Sequence, residues 1–309
     1  MKCAFVFPGQ GSQSIGMMGG FVDHPIVRET FDQASTILGI DLWQLVEAGP
    51  VEALNSTVNT QPLMLTVGYA VYRAWQATGG ITPSIVAGHS LGEYTALVAA
   101  GALSFSDALP LVQYRASCMQ QAVPMGTGAM AAILGLDDDA VKTACSRASQ
   151  GEIVEAVNFN APSQVVIAGH LAAVERAAAE AKALGAKRVM LLPVSAPFHS
   201  SLLAPAADLL RIKLAGVEFL VPKIPVLNNI DVIVLDVPQL IKDALSRQAC
   251  GPVRWAESIQ KMATLGVTHI VECGPGKILS GMNKRINPQI QSFALTDSAA
   301  IMSTIKVLK

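Results

Sequence analysis

The sequence predicts an α/β protein in which a mostly parallel sheet carries a smaller, inserted α/β unit. Short apolar runs alternate with longer helical patterns along the 309 residues, as they do in βα units around a parallel sheet. Hydrophobic residues make up 51% of the chain and charged residues 15%, which excludes a disordered chain, a collagen and a coiled coil. A chain of this length buries most of its unfolded surface, so the fold requires no disulfide or metal.

The first part of the chain predicts the beginning of the larger unit. A strand over 2–7 ends in the glycine-rich turn Pro8-Gly9-Gln10-Gly11, and a buried strand is expected over 84–88. Helical patterns occupy 26–38, 62–77, 91–100 and 107–122. Pro62 stands near the start of the second helix, where its missing N–H costs no hydrogen bond.

The middle of the chain predicts a complete small fold. Strand, helix, strand, strand, helix and strand follow one another over 130–136, 138–148, 153–158, 164–169, 172–184 and 188–194. This βαββαβ order is typical of a ferredoxin-like unit. We therefore expect a small subdomain over 126–196, inserted into a discontinuous larger domain formed by 1–125 and 197–309.

After this insertion the βα rhythm resumes. Helices are predicted at 201–214, 239–247 and 253–265, and strands at 224–228 and 268–272, before a terminal helix and strand.

The charge balance and the cysteines indicate a cytoplasmic protein that binds no nucleic acid. Its 22 basic and 23 acidic side chains leave a net charge of −1, whereas nucleic-acid-binding faces are strongly basic. Five scattered cysteines form no C-x-x-C pair, as is typical of reduced thiols. The apolar run before Pro8 is too short for a signal peptide. The most apolar long stretch, 85–103, contains His89, Ser90 and Glu93, so we expect no membrane span.

The strongest local signal is the pentapeptide Gly88-His89-Ser90-Leu91-Gly92. It joins a predicted strand to a predicted helix, which is the context of a nucleophile elbow. The two glycines allow the tight turn, and the turn presents the Ser90 hydroxyl at a helix N-terminus. Free N–H groups there favour developing negative charge. Ser90 is therefore the candidate nucleophile.

His199 is the best candidate for the base that a serine nucleophile requires. It follows the strand predicted over 188–194 and precedes a helix, and α/β domains place functional groups beyond the carboxyl ends of strands. A solvated or helix-capping histidine is the alternative. The spacing does not select a third, carboxylate member of a triad; the candidates are Asp208, Asp231, Asp236, Asp243 and Glu272.

Three further features bear on the chemistry. The turn after the first strand, with Gln10, would bring backbone N–H groups to the same sheet edge as the elbow, where an oxyanion hole needs donors. Arg115 lies in an apolar helical stretch; a structural carboxylate partner is the favoured interpretation, and a clamp for a substrate carboxylate is the alternative.

The loop Gly274-Pro275-Gly276-Lys277 lacks the spacing of a Walker loop, and no Cys/His cluster predicts a metal site.

Seven motifs occur together in one order, and several are specific to the acyltransferase superfamily. They are Phe7-Pro8-Gly9-Gln10-Gly11-Ser12-Gln13, Gly88-His89-Ser90-Leu91-Gly92-Glu93, Tyr114-Arg115-Ala116, Gly126-Thr127-Gly128-Ala129-Met130, Val157-Asn158-Phe159-Asn160-Ala161-Pro162, Phe198-His199, and Glu272-Cys273-Gly274-Pro275-Gly276-Lys277. Over essentially its whole length, the chain resembles the malonyl-CoA:acyl carrier protein transacylases of bacterial type II fatty acid synthesis. The resemblance implies an α/β-hydrolase-like core with a ferredoxin-like insertion.

The resemblance also implies a role for individual residues. Ser90 would be the nucleophile and His199 its general base, oriented by the backbone carbonyl of Gln248 in place of an aspartate. The backbone N–H groups of Gln10 and Leu91 would form the oxyanion hole.

Donor selectivity follows from the same resemblance. Arg115 would hold the malonyl carboxylate, which replaces the structural interpretation given above. Phe198 would exclude a branch methyl on the acyl group.

The implied reaction is a ping-pong transfer from malonyl-CoA to holo-acyl carrier protein through a malonyl-serine ester, without a cofactor or metal. The family suggests a monomer. Rival functions are a serine thioesterase, a discrete malonyl acyltransferase of polyketide synthesis, the transacylase subunit of a malonate decarboxylase, and a non-catalytic docking relative.

Overall fold

A computed structural model of the protein describes residues 2–194 and 196–309. Two sheets organise these residues, one of five strands and one of four. The α/β class predicted from the sequence, with a mostly parallel sheet and a separate small sheet, is confirmed. No helix in the two described ranges has the length and apolar character needed to cross a bilayer.

The larger sheet is parallel throughout and has the order β7-β2-β1-β8-β9. Its strands are β1 (Cys3–Phe7), β2 (Ile85–Gly88), β7 (Val226–Leu227), β8 (His269–Cys273) and β9 (Gln291–Leu295). Strands β1 and β2 are buried along their whole length, because helices cover both faces of a parallel sheet. All five strands end at one edge, so the turns that follow them meet there.

Helices pack on both faces of this sheet. The alternating side chains of β1 separate the two layers: Phe5 and Phe7 belong to one hydrophobic cluster, and Ala4 and Val6 to the other. The helices are α1 (Pro25–Leu38), α2 (Leu42–Ala48), α3 (Val51–Asn55), α4 (Thr57–Ala77), α5 (Gly92–Ala99), α6 (Phe105–Gln121), α9 (Ala204–Ala215), α10 (Pro238–Ala249), α11 (Trp255–Thr264), α12 (Ile278–Ile286) and α13 (Ser298–Leu308).

The smaller sheet is antiparallel and has the order β4-β5-β3-β6. It consists of β3 (Gly128–Leu134), β4 (Val154–Ala161), β5 (Gln164–His170) and β6 (Arg188–Leu191), with helices α7 (Asp138–Ala148) and α8 (Leu171–Ala183). Both helices pack on one face. The other face carries apolar side chains, Met130 among them, that pack with Phe198. The βαββαβ order is as predicted, and the domain boundaries at 125/126 and 196/197 stay a prediction.

Helix α4 differs from its predicted form. It begins at Thr57, so Pro62 lies in the second turn and not in the first, and the prediction for this residue was wrong. The hydroxyl of Thr60 donates to the carbonyl oxygens of Leu54 and Ser56, which satisfies acceptors at the helix entrance. The short helices α2 and α3, of seven and five residues, were not predicted because they span too few turns to show a period.

Candidate active site

Ser90 lies in a sharp turn between β2 and α5. Its φ of +51° is in the left-handed region, which is strained for a residue with a side chain. The two flanking glycines allow the turn to close. A Cβ at Gly88 would stand 1.8 Å from the carbonyl carbon of Gly92, and a Cβ at Gly92 would stand 2.0 Å from the carbonyl oxygen of Phe7. The nucleophile elbow expected from the sequence therefore has the required backbone.

The imidazole of His199 is paired with the Ser90 hydroxyl. The distance from Nε2 to Oγ is 2.7 Å, and Nδ1 lies 2.9 Å from the backbone oxygen of Gln248. A carbonyl oxygen only accepts, so Nδ1 carries the proton and Nε2 is free to accept the serine proton. His199 is 4% exposed. Burial, and then the positive charge of Arg115, lower its pKa to about 3, so it is neutral at physiological pH.

Four of the five carboxylates that could have completed a triad have other partners. Asp231 and Asp243 both pair with Arg247. Glu272 accepts the first backbone N–H groups of α12, and Asp208 pairs with Arg211. Among the described residues, His199 forms no ion pair with an acid, which agrees with orientation by a carbonyl.

Arg115 is 1% exposed and points from α6 to the nucleophile. Its Nη1 donates to Oε1 of Gln61 (2.6 Å), and its Nη2 donates to Oε1 of Gln248 (2.9 Å) and to Oγ of Ser90 (3.2 Å). The guanidinium also faces the ring of Tyr94, 5.5 Å away. No acidic side chain in the described ranges lies within ion-pair distance of it. The structural carboxylate favoured from the residues alone is therefore wrong.

The two candidate oxyanion donors lie side by side. A Cβ on Gly9 would be 2.6 Å from the carbonyl oxygen of His89 and 3.7 Å from the amide nitrogen of Leu91, so the turn after β1 packs directly on the elbow. The amides of Gln10 and Leu91 donate no hydrogen bond within the part of the chain that the structure describes, and both residues line the same cleft as Ser90. Two unpaired donors, one at the N-terminus of α5 and one in the turn after β1, can stabilise an oxyanion.

Asn229 and Glu93 hold the elbow from behind, and sequence reasoning did not assign them a role. Asn229 accepts the Ser90 amide at Oδ1 (2.7 Å) and donates from Nδ2 to the carbonyl of Gly88 (2.7 Å). Glu93 accepts from the backbone N–H of Asn229 (3.0 Å) and from Nε2 of Gln248 (2.9 Å). Burial raises the pKa of Glu93 to about 7, although these hydrogen bonds oppose the rise. The position of Asn229 just after a predicted strand is the signal that could have identified it.

His89 connects the two sheets. Its Nε2–H donates to Oδ1 of Asn160 on β4, 2.8 Å away, and its ring lies 5.7 Å from that of Trp255. Burial lowers the pKa of His89, so it is a neutral donor. It is not the base of Ser90.

A cleft lies between the two sheets, and Ser90 and His199 line it. The small sheet contributes Met130 to its wall, and Phe198 contributes its ring. Phe198 also packs with the hydrophobic clusters on both sides of the cleft. The described residues contain no group of three or more His, Cys, Asp or Glu side chains that could hold a metal ion.

Comparison with known proteins gives one consistent family. The acyl transferase domain model matches residues 4–289. The malonyl CoA-acyl carrier protein transacylase of Escherichia coli K12 is 52% identical over 305 residues, covering 98% of this chain and 99% of that protein. The enzyme of the same name from Bacillus subtilis is 44% identical over 310 residues, covering 100% and 98%.

Solved structures agree with these relatives. The acyl-carrier-protein S-malonyltransferase of Burkholderia pseudomallei is 62% identical and superposes with a TM-score of 0.98, over 99% of this chain and 100% of that one. A malonyl-transacylase solved in complex with its type II polyketide synthase acyl carrier protein is 48% identical, with a TM-score of 0.98 over 99% and 100% of the two chains.

Proposed function

The chain belongs to the malonyl CoA-acyl carrier protein transacylases of the acyl transferase domain family, and we propose that it transfers a malonyl group from CoA to an acyl carrier protein through Ser90. The observation that carries this proposal is that a buried guanidinium without an ion-pair partner in the described residues contacts the nucleophile: Nη2 of Arg115 is 3.2 Å from Oγ of Ser90. A serine acylated by a group with a distal carboxylate would present that carboxylate to Arg115.

The first half-reaction loads the enzyme. Nε2 of His199 takes the proton of the Ser90 hydroxyl as Oγ attacks the thioester carbon of malonyl-CoA. The amides of Gln10 and Leu91 donate to the oxyanion that develops. The C–S bond then breaks, His199 returns the proton to the departing CoA sulfur, and a malonyl-serine ester remains. The carbonyl of Gln248 keeps the imidazole in the correct tautomer throughout, because it accepts the Nδ1 proton.

The second half-reaction uses the same groups in the same order. The phosphopantetheine thiol of the carrier protein gives its proton to His199 as its sulfur attacks the ester carbon. Oγ of Ser90 leaves with that proton, and the malonyl group becomes a thioester of the carrier. Because the leaving CoA and the accepting carrier protein both present a phosphopantetheine thiol, one cleft serves both halves of the ping-pong cycle.

Donor selectivity follows from the burial of Arg115. When malonyl binds, its carboxylate gives the guanidinium a charged partner in direct contact, which it lacks in the empty site, and hydrogen bonds to charged groups are worth about 1.5–3 kcal/mol each. Acetyl-CoA offers no such group and leaves the guanidinium without a directly contacting anion. We expect acetyl transfer to be slower by two or more orders of magnitude, roughly the penalty for leaving a buried polar site unpaired.

The acceptor is the least constrained element of the proposal. Relatives named for malonyl CoA-acyl carrier protein transfer favour a carrier of fatty acid synthesis. The 48% identical transacylase seen with a polyketide synthase carrier favours a second candidate, malonyl supply to polyketide synthesis. Comparing transfer rates to the two kinds of holo-carrier distinguishes them.

Intact-protein mass spectrometry tests the proposal directly. Wild-type protein mixed with malonyl-CoA should gain one malonyl group, lose it to added holo-carrier, and gain little from acetyl-CoA. Ser90→Ala should gain nothing, which excludes labelling of the five cysteines. An adduct that decays to free malonate when carrier is present would instead identify a thioesterase.

Three finer predictions belong to this proposal. The small subdomain is bounded at 126 and 196, the protein is a monomer, and it acts in the cytoplasm without binding nucleic acid. Light scattering on the purified protein tests the monomeric state, and limited proteolysis tests the boundaries.

A further inference from the structure

The side-chain amide of Gln248 joins two buried charges that do not touch each other. Its Oε1 accepts from Nη2 of Arg115 at 2.9 Å, and its Nε2 donates to Oε2 of Glu93 at 2.9 Å. Arg115 is 1% exposed and Glu93 is 2% exposed. Neither forms an ion pair with another side chain in the described ranges. The amide therefore lies between a cation and an anion that both lack a direct partner.

Burial of an unpaired charge costs several kcal/mol, so each of these groups needs compensation from the other. A primary amide transmits that compensation well, because its oxygen faces the cation and its N–H faces the anion. The same Nε2 also donates to the backbone oxygen of Ser90, at 3.0 Å. The amide bridge thus holds the elbow, the guanidinium and the carboxylate in one arrangement.

We propose that Glu93 is the counter-ion of Arg115 in the empty site, acting through the Gln248 amide, and that the malonyl carboxylate takes over this role when it binds. This inference rests on the proposed function. It makes Glu93 a positioning residue that determines donor specificity, since it sets how much stabilisation Arg115 gains from the substrate.

The surrounding charges are consistent with this role. The elements packed around Glu93 present two charged groups to it, Arg115 of α6 and Asp231 in the loop after β7, and Tyr94 adjoins it on α5. Asp231 is already paired with Arg247 at 2.7 Å, which leaves Arg115 as the cation that stabilises ionised Glu93. The pKa of Glu93, raised to about 7 by burial, means that it can exchange a proton near neutral pH.

Two consequences follow from the exchange of counter-ions. Once malonyl neutralises Arg115, Glu93 loses the attraction that favoured its ionised form, so it takes up a proton. Conversely, raising the pH ionises Glu93 in the empty site and weakens malonyl binding. Acetyl-CoA has no carboxylate, so neither effect should occur with it.

Two variants separate charge from position. Glu93→Gln keeps an acceptor oxygen for the N–H groups of Gln248 and Asn229 but removes the charge. Glu93→Asp keeps the charge and withdraws it by one methylene, which breaks the bridge. Glu272→Gln is the matched control, since Glu272 is an equally buried carboxylate that caps α12.

The experiment measures kcat/KM for malonyl-CoA and acetyl-CoA between about pH 6 and pH 9. In wild type, KM for malonyl-CoA should rise with pH through about 7 while the acetyl-CoA value stays flat. Glu93→Gln should abolish this rise and increase the malonyl-to-acetyl ratio at high pH by about fivefold to fiftyfold, as expected for a unit charge on the far side of one amide group at an effective dielectric constant of about 20 or somewhat more. Glu272→Gln should keep the wild-type ratio. An equal loss for both donors in Glu93→Gln, with the ratio unchanged, would overturn the proposal.

A second measurement needs no change at Glu93, in case that variant does not fold. Calorimetry of malonyl-CoA binding to Ser90→Ala, in phosphate and in Tris near pH 7.5, reports the protons taken up on binding. We expect a fractional uptake with malonyl-CoA and none with acetyl-CoA, and equal values for the two donors would contradict the inference. If wild-type protein formed no malonyl adduct at all, the proposed function would fail instead, so the two failures are distinguishable.

Discussion

Acidification should leave the acylation rate unchanged far below the pH at which a histidine base normally fails. His199 is buried among groups that disfavour its protonation: desolvation acts first, and the guanidinium of Arg115 adds electrostatic repulsion. Both effects penalise the imidazolium form. The pKa falls from 6.5 to about 3 as a result, and the neutral form needed to accept the Ser90 proton persists into acid.

The difference between a normal and a buried histidine is large enough to measure. At pH 5, a base with a pKa of 6.5 would be only about 3% neutral, whereas one with a pKa of about 3 would be about 99% neutral. The two cases therefore predict acylation rates that differ by roughly thirtyfold. Glu93, whose pKa is raised to about 7, also takes up a proton as the pH falls, but its protonation favours malonyl binding, so it cannot imitate the loss of the base.

Quenched-flow measurement of malonyl-Ser90 formation at limiting malonyl-CoA, from about pH 4.5 to pH 8, gives the acylation kcat/KM, which reports the free enzyme. We expect less than a twofold decline between pH 6.5 and pH 5. A tenfold fall per pH unit beginning near 6.5 would refute the argument. Arg115→Met is the informative comparison: it removes one of the two causes of the low pKa, so the acid limb of its pH–rate profile should move to higher pH.

The free energy of unfolding should depend on pH where the acylation rate does not. The unfolded chain protonates this histidine below its ordinary pKa of 6.5 and the folded chain does not, so stability falls as the pH drops from about 6.5 towards 3.

Three substitutions test the packing that supports the site. Gly92→Ala places a methyl group 2.0 Å from the carbonyl oxygen of Phe7 and should lower the free energy of unfolding, measured by chemical denaturation, by at least about 3 kcal/mol. The control Gly281→Ala, which meets open space in α12, should leave the free energy of unfolding unchanged or raise it. Equal losses of stability in both variants would contradict the steric explanation. Glu272→Gln replaces an acceptor that faces the first N–H groups of α12 and should cost about 1–3 kcal/mol without changing the activity per folded molecule. Phe198→Ser should raise the methylmalonyl-to-malonyl ratio of kcat/KM by about tenfold or more, since room for one methyl is worth about 1–3 kcal/mol; an unchanged ratio would show that Phe198 does not contact the branch position.

The features that the sequence predicts well are those encoded locally. Gly88 and Gly92 leave only one way for the strand to turn into a helix, and the βαββαβ pattern specifies its own sheet. The paired side chains behind the nucleophile are not local. Asn229 reaches Ser90 across 139 positions of chain, and although it directly follows a predicted strand, its neighbours in sequence do not indicate that it holds the elbow. The partners of Arg115 are also distant in sequence. Its apolar helix suggested an ion pair, but the side chains that accept its hydrogen bonds are the amides of Gln61 on α4 and Gln248 on α10, which local sequence does not reveal.

The use of a carbonyl to orient His199 has a physical reason in this site. A carboxylate at Nδ1 would stand close to a buried guanidinium that already contacts Oγ of Ser90, and would compensate its charge permanently. The malonyl carboxylate would then gain little by binding, and the pKa of His199 would rise with the anion beside it. The backbone oxygen of Gln248 fixes the tautomer at 2.9 Å without adding charge, while the side chain of the same residue holds Arg115 at 2.9 Å. The neutral carbonyl that orients His199 therefore also leaves the buried Arg115 guanidinium available to the substrate carboxylate.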